Sequence, residues 1–313
     1  MTLALRAALA AALALPASLA LAAAPAPEGT PAYVSAEWLA GRLASPEVAV
    51  VDARGGLRGY LAGHVPGALP LEPANLRGTE GGVPAILLPL DTVRMTARRA
   101  GLPAAAHLVV VGEETDADAT YVATALRLSG YPRVSVLDGG MKRWAKEGRP
   151  VTAERKLFPA PSGPPAGTPD RAALVAFEEM RKIVAEGRAL LLDVRSPDQY
   201  AAGHLPGARN RFWKKDVVPE GEQAGSLRPS AEIAPELAAL GAGEDRPVVV
   251  YCNTGHMAAE AYWTLRHHLG LPHVRLYQGS WVDWSMREGT PKEVSPAPAA
   301  TPKPSAAAPA PKG

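Results

Sequence analysis

Residues 248–257 read VVVYCNTGHM. Val248 to Tyr251 form a continuous apolar run, three of the four β-branched. That pattern suits a strand buried on both faces of a parallel sheet rather than a half-exposed strand with alternating polarity. The run ends at Cys252, and Asn253, Thr254, Gly255 and His256 follow. From there Met257, Ala258, Ala261, Tyr262, Leu265 and Leu269 fall on one helical stripe, which Gly270 and Pro272 close. The order is strand, short loop, helix. In α/β folds the carboxyl end of a parallel strand is where ligands bind. A short loop opening a helix turns backbone N–H groups inward, and these donors with the helix dipole favour an anion. A thiol there is expected to have a lowered pKa and to be nucleophilic. Gly255 fits a tight turn that requires positive φ.

Cys252 is the only cysteine in 313 residues. One cysteine excludes an internal disulfide and a cysteine-rich zinc site. A buried structural thiol is the plain alternative to a reactive one, and the strand-loop-helix context favours the reactive reading. With 33 basic and 31 acidic side chains, the formal net charge is +2. That argues against nucleic acid as a partner, because phosphate binding needs a clustered basic excess.

The chain repeats itself. VVDARGGLRGYLAGHVPGALPL near 51 matches LDVRSPDQYAAGHLPGARN near 192, and residues 108–144 match 248–284. His64 pairs with His204, Gly139 with Gly279 and Trp144 with Trp284, each shifted by 140 residues. A shift this long is a duplicated domain, not a solenoid repeat. Val48–Val51, His107–Val111 and Val134–Leu137 read as strands in the first half. Ala189–Val194, Pro247–Tyr251 and His273–Tyr277 read as strands in the second. Alternation with helical stretches predicts α/β domains with right-handed crossovers. At the position equivalent to Cys252 stands Gly112, so the first half cannot do thiol chemistry.

The expected organisation is a signal peptide over 1–22, a first domain over 32–150, a linker over 151–169, a second domain over 170–290 and an Ala/Pro tail over 291–313. The first stretch has a basic Arg6, an Ala/Leu run and an Ala20-Leu21-Ala22 cleavage pattern. It implies a periplasmic or secreted protein that leaves the membrane after cleavage. The tail lacks the apolar periodicity of a core segment and reads as disordered.

Taken together, VDAR with GHVPGA, LDVR with GHLPGA, YCNTGH, LDGGMKRW and YQGSWVDW resemble the rhodanese family, specifically its tandem-domain sulfurtransferases of the thiosulfate/3-mercaptopyruvate type. The resemblance covers nearly all of 32–290. It implies two rhodanese-like domains, each a central parallel sheet flanked by helices, with the inactive first domain closing over the second. It implies a Cys252 persulfide, no cofactor and no metal, a small sulfur donor, and a thiol or cyanide acceptor that can be a protein. The binding loop would be Asn253, Thr254, Gly255, His256 and Met257.

This loop departs from the family, whose members often carry basic or hydroxyl residues there. Mercaptopyruvate enzymes also place arginines ahead of GHxPGA, where this chain has Gln199. A carboxylate without a bidentate arginine loses its strongest partner, so thiosulfate is the expected donor. His256, Arg211, Lys214 or a residue of the first domain would have to supply the missing charge. Asp193 and Arg195 read first as a local ion pair and second as substrate contacts, since Asp52 and Arg54 repeat them in the inactive half. Trp213 and Trp281 read equally as core and as cleft wall. His64 and His204 read as structural, and adjacent His267 and His268 face different ways on a helix. Cell-cycle phosphatases share this fold but need an arginine six residues after the cysteine; here that residue is Ala258. A non-catalytic persulfide carrier or redox-sensing module stays as an alternative.

Overall fold

The computed structural model describes residues 29–155 and 163–296. The leader over 1–22, part of the linker and most of the tail lie outside the described residues. Strands β1 (Tyr33–Val34), β2 (Val48–Asp52), β3 (Leu69–Pro70), β6 (His107–Val111) and β7 (Val134–Leu137) form one parallel sheet in the order β1-β7-β6-β2-β3. Between β3 and β6 an antiparallel hairpin, β4 (Arg77–Glu80) with β5 (Val83–Leu87), stands apart from this sheet. The second half repeats the sheet with β8 (Leu174–Val175), β9 (Leu190–Asp193), β10 (Arg209–Asn210), β11 (Val248–Tyr251) and β12 (Val274–Tyr277), ordered β10-β9-β11-β12-β8. All residues of β6, β7, β9 and β11 are buried, as continuous apolar runs require of strands covered on both faces.

The two domains meet through repeat-equivalent helices, Ala117–Leu128 and His256–Trp263. Small residues line the contact. Ala119, Ala123, Ala258 and Ala259 are fully buried, and Thr124 Oγ1 donates to the Ala259 carbonyl at 3.4 Å. One apolar core therefore runs from Leu108 and Leu126 of the first domain to Val250 and Tyr262 of the second, and separate clusters fill the outer face of each sheet. The helix after Cys252 is α-helical to Trp263 and widens to a π turn over Thr264–His268 before Gly270 ends it. In that turn His267 faces Trp263 and His268 faces Tyr33.

Each domain closes in the same way. Trp144 Nε1 donates to the Pro150 carbonyl at 2.7 Å, and Trp284 Nε1 to that of Pro291 at 2.9 Å. His64 then bridges Thr152, and His204 bridges Glu293. Ser295 still bonds to the Ala201 carbonyl at 3.2 Å, so the folded second domain extends past residue 290.

Candidate active site

Cys252 directly follows β11, the central strand of its sheet, and is fully buried. Its N–H donates to Ser280 Oγ at 3.2 Å, and that hydroxyl donates to the Tyr277 carbonyl at 2.8 Å. Trp281 and Val282 donate their N–H groups to the carbonyls of Cys252 and Asn253, both at 3.0 Å. The loop is thus tied to the start of the next helix, Ser280–Met286. Ser280 has φ +53°, where its repeat partner Gly140 has +56°. A serine here accepts left-handed strain to place its hydroxyl under the cysteine. Gly255 has φ +79°, and a Cβ there would come within 2.7 Å of the Gln278 carbonyl, so glycine is required on both counts.

The N–H groups of Thr254, Ala258, Met257 and Gly255 converge on the thiol as hydrogen-bond donors that lower its pKa. Burial acts the other way and is larger, so the thiol is pushed above its ordinary value. This corrects the expectation of a lowered pKa. The cradle exists, but it is closed from water, and desolvation of the thiolate outweighs it.

Asp193 and Arg195 form a buried two-pronged pair. Arg195 Nε lies 3.0 Å from both carboxylate oxygens, and Nη2 lies 2.5 Å from Oδ2 and 2.7 Å from the Gly203 carbonyl. Asp52, Arg54 and Gly63 repeat the arrangement, with both Nη2 contacts at 2.7 Å. The pair latches the GHxPGA turn in both halves, including the half without a thiol. Trp281 packs against the Arg195 guanidinium, 4.7 Å from ring centroid to carbon, and is half-buried. His64 and His204 stack on Tyr60 and Tyr200 and hydrogen-bond to the same tyrosines' carbonyls at 2.7 and 2.9 Å.

Of the residues considered as compensating cations, Arg211 is buried and faces Asp216 at 2.6 Å and Glu236 at 3.0 Å, so its charge is already matched. Lys214 is exposed above the half-buried ring of Trp213 at 5.6 Å. Met257 packs on the shared core. Only His256, among those three candidates, stands at the loop itself. Its Nε2 is 2.8 Å from Asp118 Oδ1, and its ring meets Tyr121 edge-on at 5.1 Å.

Asp118 and Tyr121 belong to the first domain, and so does the residue that sequence reading did not single out, Arg77. From the base of the hairpin it crosses to the second domain. Its Nη2 donates to Thr254 Oγ1 at 2.8 Å and to the Thr254 carbonyl at 3.2 Å, and its Nη1 is 3.3 Å from His256 Nδ1. Tyr121 lies beneath it, 5.3 Å from ring centroid to guanidinium carbon. The 140-residue shift could have flagged Asp118 and Tyr121, because it maps their helix onto the one after Cys252. No local pattern reveals the reach of Arg77.

In the first domain the loop after β6 keeps the same backbone: Met141 and Lys142 donate to the carbonyls of Gly112 and Glu113, both at 2.9 Å. Its N–H groups, however, already have an anion. Asp116 accepts from Glu113 at 2.9 Å, Glu114 at 3.3 Å and Ala119 at 2.9 Å.

A duplicated parallel α/β domain is the arrangement that known proteins share. The rhodanese-like domain model matches residues 35–147 and 176–287. The chain belongs to the rhodanese family. It is similar to the thiosulfate sulfurtransferase of Azotobacter vinelandii, 30% identical over 84% of this chain and 97% of that one. It is also similar to the sulfur carrier protein TtuD of Thermus thermophilus, 29% identical over 82% of this chain and 95% of that one. The crystal structure of SseA from Escherichia coli, described as a 3-mercaptopyruvate sulfotransferase of rhodanese fold, superposes with a TM-score of 0.73 at 27% identity, covering 80% of this chain and 99% of that one. This rhodanese is a sulfurtransferase of the thiosulfate/3-mercaptopyruvate type.

Proposed function

We propose that this rhodanese moves sulfane sulfur from thiosulfate to a thiol or cyanide acceptor through a persulfide on Cys252. The observation that carries the reading is the set of four backbone N–H groups converging on one buried thiol. The Cys252 thiolate attacks the outer sulfur of thiosulfate. A new S–S bond forms at Sγ, the old S–S bond breaks, and its electron pair leaves with sulfite. The outer sulfur keeps its negative charge, and the loop N–H groups hold the persulfide anion. An acceptor thiolate or cyanide then takes that sulfur and Cys252 departs as thiolate, giving ping-pong kinetics.

Mercaptopyruvate is the less favoured donor. Gln199, where a carboxylate-binding arginine would stand, is exposed on the Pro197–Ala202 helix, and Arg211 is matched by carboxylates. The acceptor is a small thiol, cyanide or a protein thiol, and the leader sequence supports an exported enzyme.

The test is intact mass after the reduced protein is incubated with thiosulfate or, separately, mercaptopyruvate. Gain of one sulfur from thiosulfate, absent in Cys252→Ser, is expected. No gain from either donor, or a gain in the serine variant, would sink the reading.

A further inference from the structure

We infer that Arg77, supplied by the domain that has no thiol, is the cation that receives the donor's oxyanion, so the non-catalytic domain sets donor specificity. This deepens the persulfide reading and rests on it.

The charge balance around the loop points to this residue. Residues 252–257 contain no lysine or arginine. Arg195 is matched by Asp193, and Arg211 by Asp216 and Glu236. Lys214 stands exposed over Trp213. Arg77 is half-buried between the domains and forms no ion pair with a carboxylate among the described residues; its nitrogens face the Ala85 and Thr254 carbonyls, Thr254 Oγ1 and the His256 ring. A guanidinium withdrawn from water without a counter-charge is costly. An anion arriving at the loop removes that cost.

The side chain is also held in place. Ala85, a non-glycine residue at φ +60°, turns its carbonyl to accept from Arg77 Nε at 3.1 Å. Left-handed backbone at alanine is strained, and here it fixes the guanidinium plane. Asp118 Oδ1 lies 2.8 Å from Nε2 of His256, the ring whose Nδ1 is 3.3 Å from Arg77 Nη1. A guanidinium has five N–H donors. Nε and Nη2 are directed at Ala85 and Thr254, while Nη1, facing His256 and the Tyr121 side chain, is the edge that can exchange such a contact for a ligand oxygen.

The ligand class follows. The donor carries an oxyanion directly on the atom that bears the sulfane sulfur, as in thiosulfate and organic thiosulfonates. When the S–S bond breaks, the electron pair moves onto the leaving sulfite or sulfinate, beside Arg77.

The experiment compares wild type, Arg77→Gln and Arg77→Lys in three reactions at Cys252: single-turnover sulfur loading from thiosulfate, and alkylation by uncharged iodoacetamide and by anionic iodoacetate. Loss of one charge-assisted hydrogen bond in Arg77→Gln is expected to raise half-saturating thiosulfate about ten- to a hundredfold. The iodoacetate rate should fall relative to iodoacetamide, whose own rate stays within about twofold. Arg77→Lys should restore part of both losses. Unchanged thiosulfate loading in Arg77→Gln overturns the inference, as does an equal fall in all three reactions, which would mean the loop has lost its shape. If wild type takes no sulfur from thiosulfate while the iodoacetate preference still depends on Arg77, the anion site stands and the persulfide reading falls.

Discussion

The carboxylate of Asp116 occupies the place beside Gly112 that the Cβ of a cysteine would need. Asp116 also caps the helix that follows, accepting from the Ala119 N–H. The first domain has therefore not merely lost its thiol. Its anion cradle is filled from within. Restoring cysteine alone will not restore chemistry. Gly112→Cys in a Cys252→Ser background is expected to take up no sulfur from thiosulfate and to melt lower than its parent, because the new side chain collides with the half-buried Asp116 carboxylate. Sulfur uptake at residue 112, read by intact mass, would contradict this.

Burial pushes the Cys252 thiol above its ordinary value, and the cradle only partly offsets it. The reactive thiolate therefore becomes more abundant as pH rises through and beyond the neutral range. Single-turnover loading from thiosulfate, followed by stopped flow across pH, should keep climbing above neutrality. A rate already level in the mildly acid range would show that the cradle outweighs desolvation.

The Asp193–Arg195 and Asp52–Arg54 pairs do the same job at different depths. Arg195 is 2% exposed and Arg54 10%. Removing one partner of a buried pair leaves the other charge uncompensated, at a cost of about 3–5 kcal/mol. Arg195→Met should approach that loss, while Arg54→Met, nearer to water, should cost less. Urea unfolding of the two variants makes the comparison, and equal losses would remove burial as the reason.

Glu260 is fully buried beside Asp216, with Arg211 as the nearby cation. Burial first, and Asp216 second, hold its carboxyl well above the usual glutamate range. The folded state therefore binds a proton more tightly than the unfolded chain. The stability this adds is complete below the ordinary glutamate pKa and is lost as pH rises toward the folded value. Asp216 is pushed the same way by burial, partly opposed by Arg211. Glu260→Gln keeps the acceptor for Thr264 Oγ1, 3.1 Å from Glu260 Oε1, without the ionisation. Its stability should exceed that of wild type by a margin that widens with pH. Parallel curves of unfolding free energy against pH would refute the assignment.

Much of this protein was legible along the chain. The strands from Val48, His107, Val134 and Val248 appear where short, mostly β-branched apolar stretches placed them. The place of Cys252 was legible too, since the apolar run before it and the helical stripe after it fix that loop. The thiol's pKa direction was not. Local geometry supplies the N–H groups, but the burial that outweighs them comes only with the packed fold, where Cys252 joins the core shared by both domains. Arg211 looked available in sequence because its partners, Asp216 and Glu236, are brought to it only by folding.

The sequence by itself determined the duplicated parallel α/β architecture, the single cysteine and the glycine that stands at its repeat position, Gly112. Each is written in apolar periodicity or in the identity of one residue. Tertiary structure alone decided where the charge of the site comes from. Arg77 and Thr254 are 177 positions apart and meet at 2.8 Å because the two Ala-lined helices bring the domains together. Apolar patterning fixes that close approach, but it does not show which polar side chains will face each other across it.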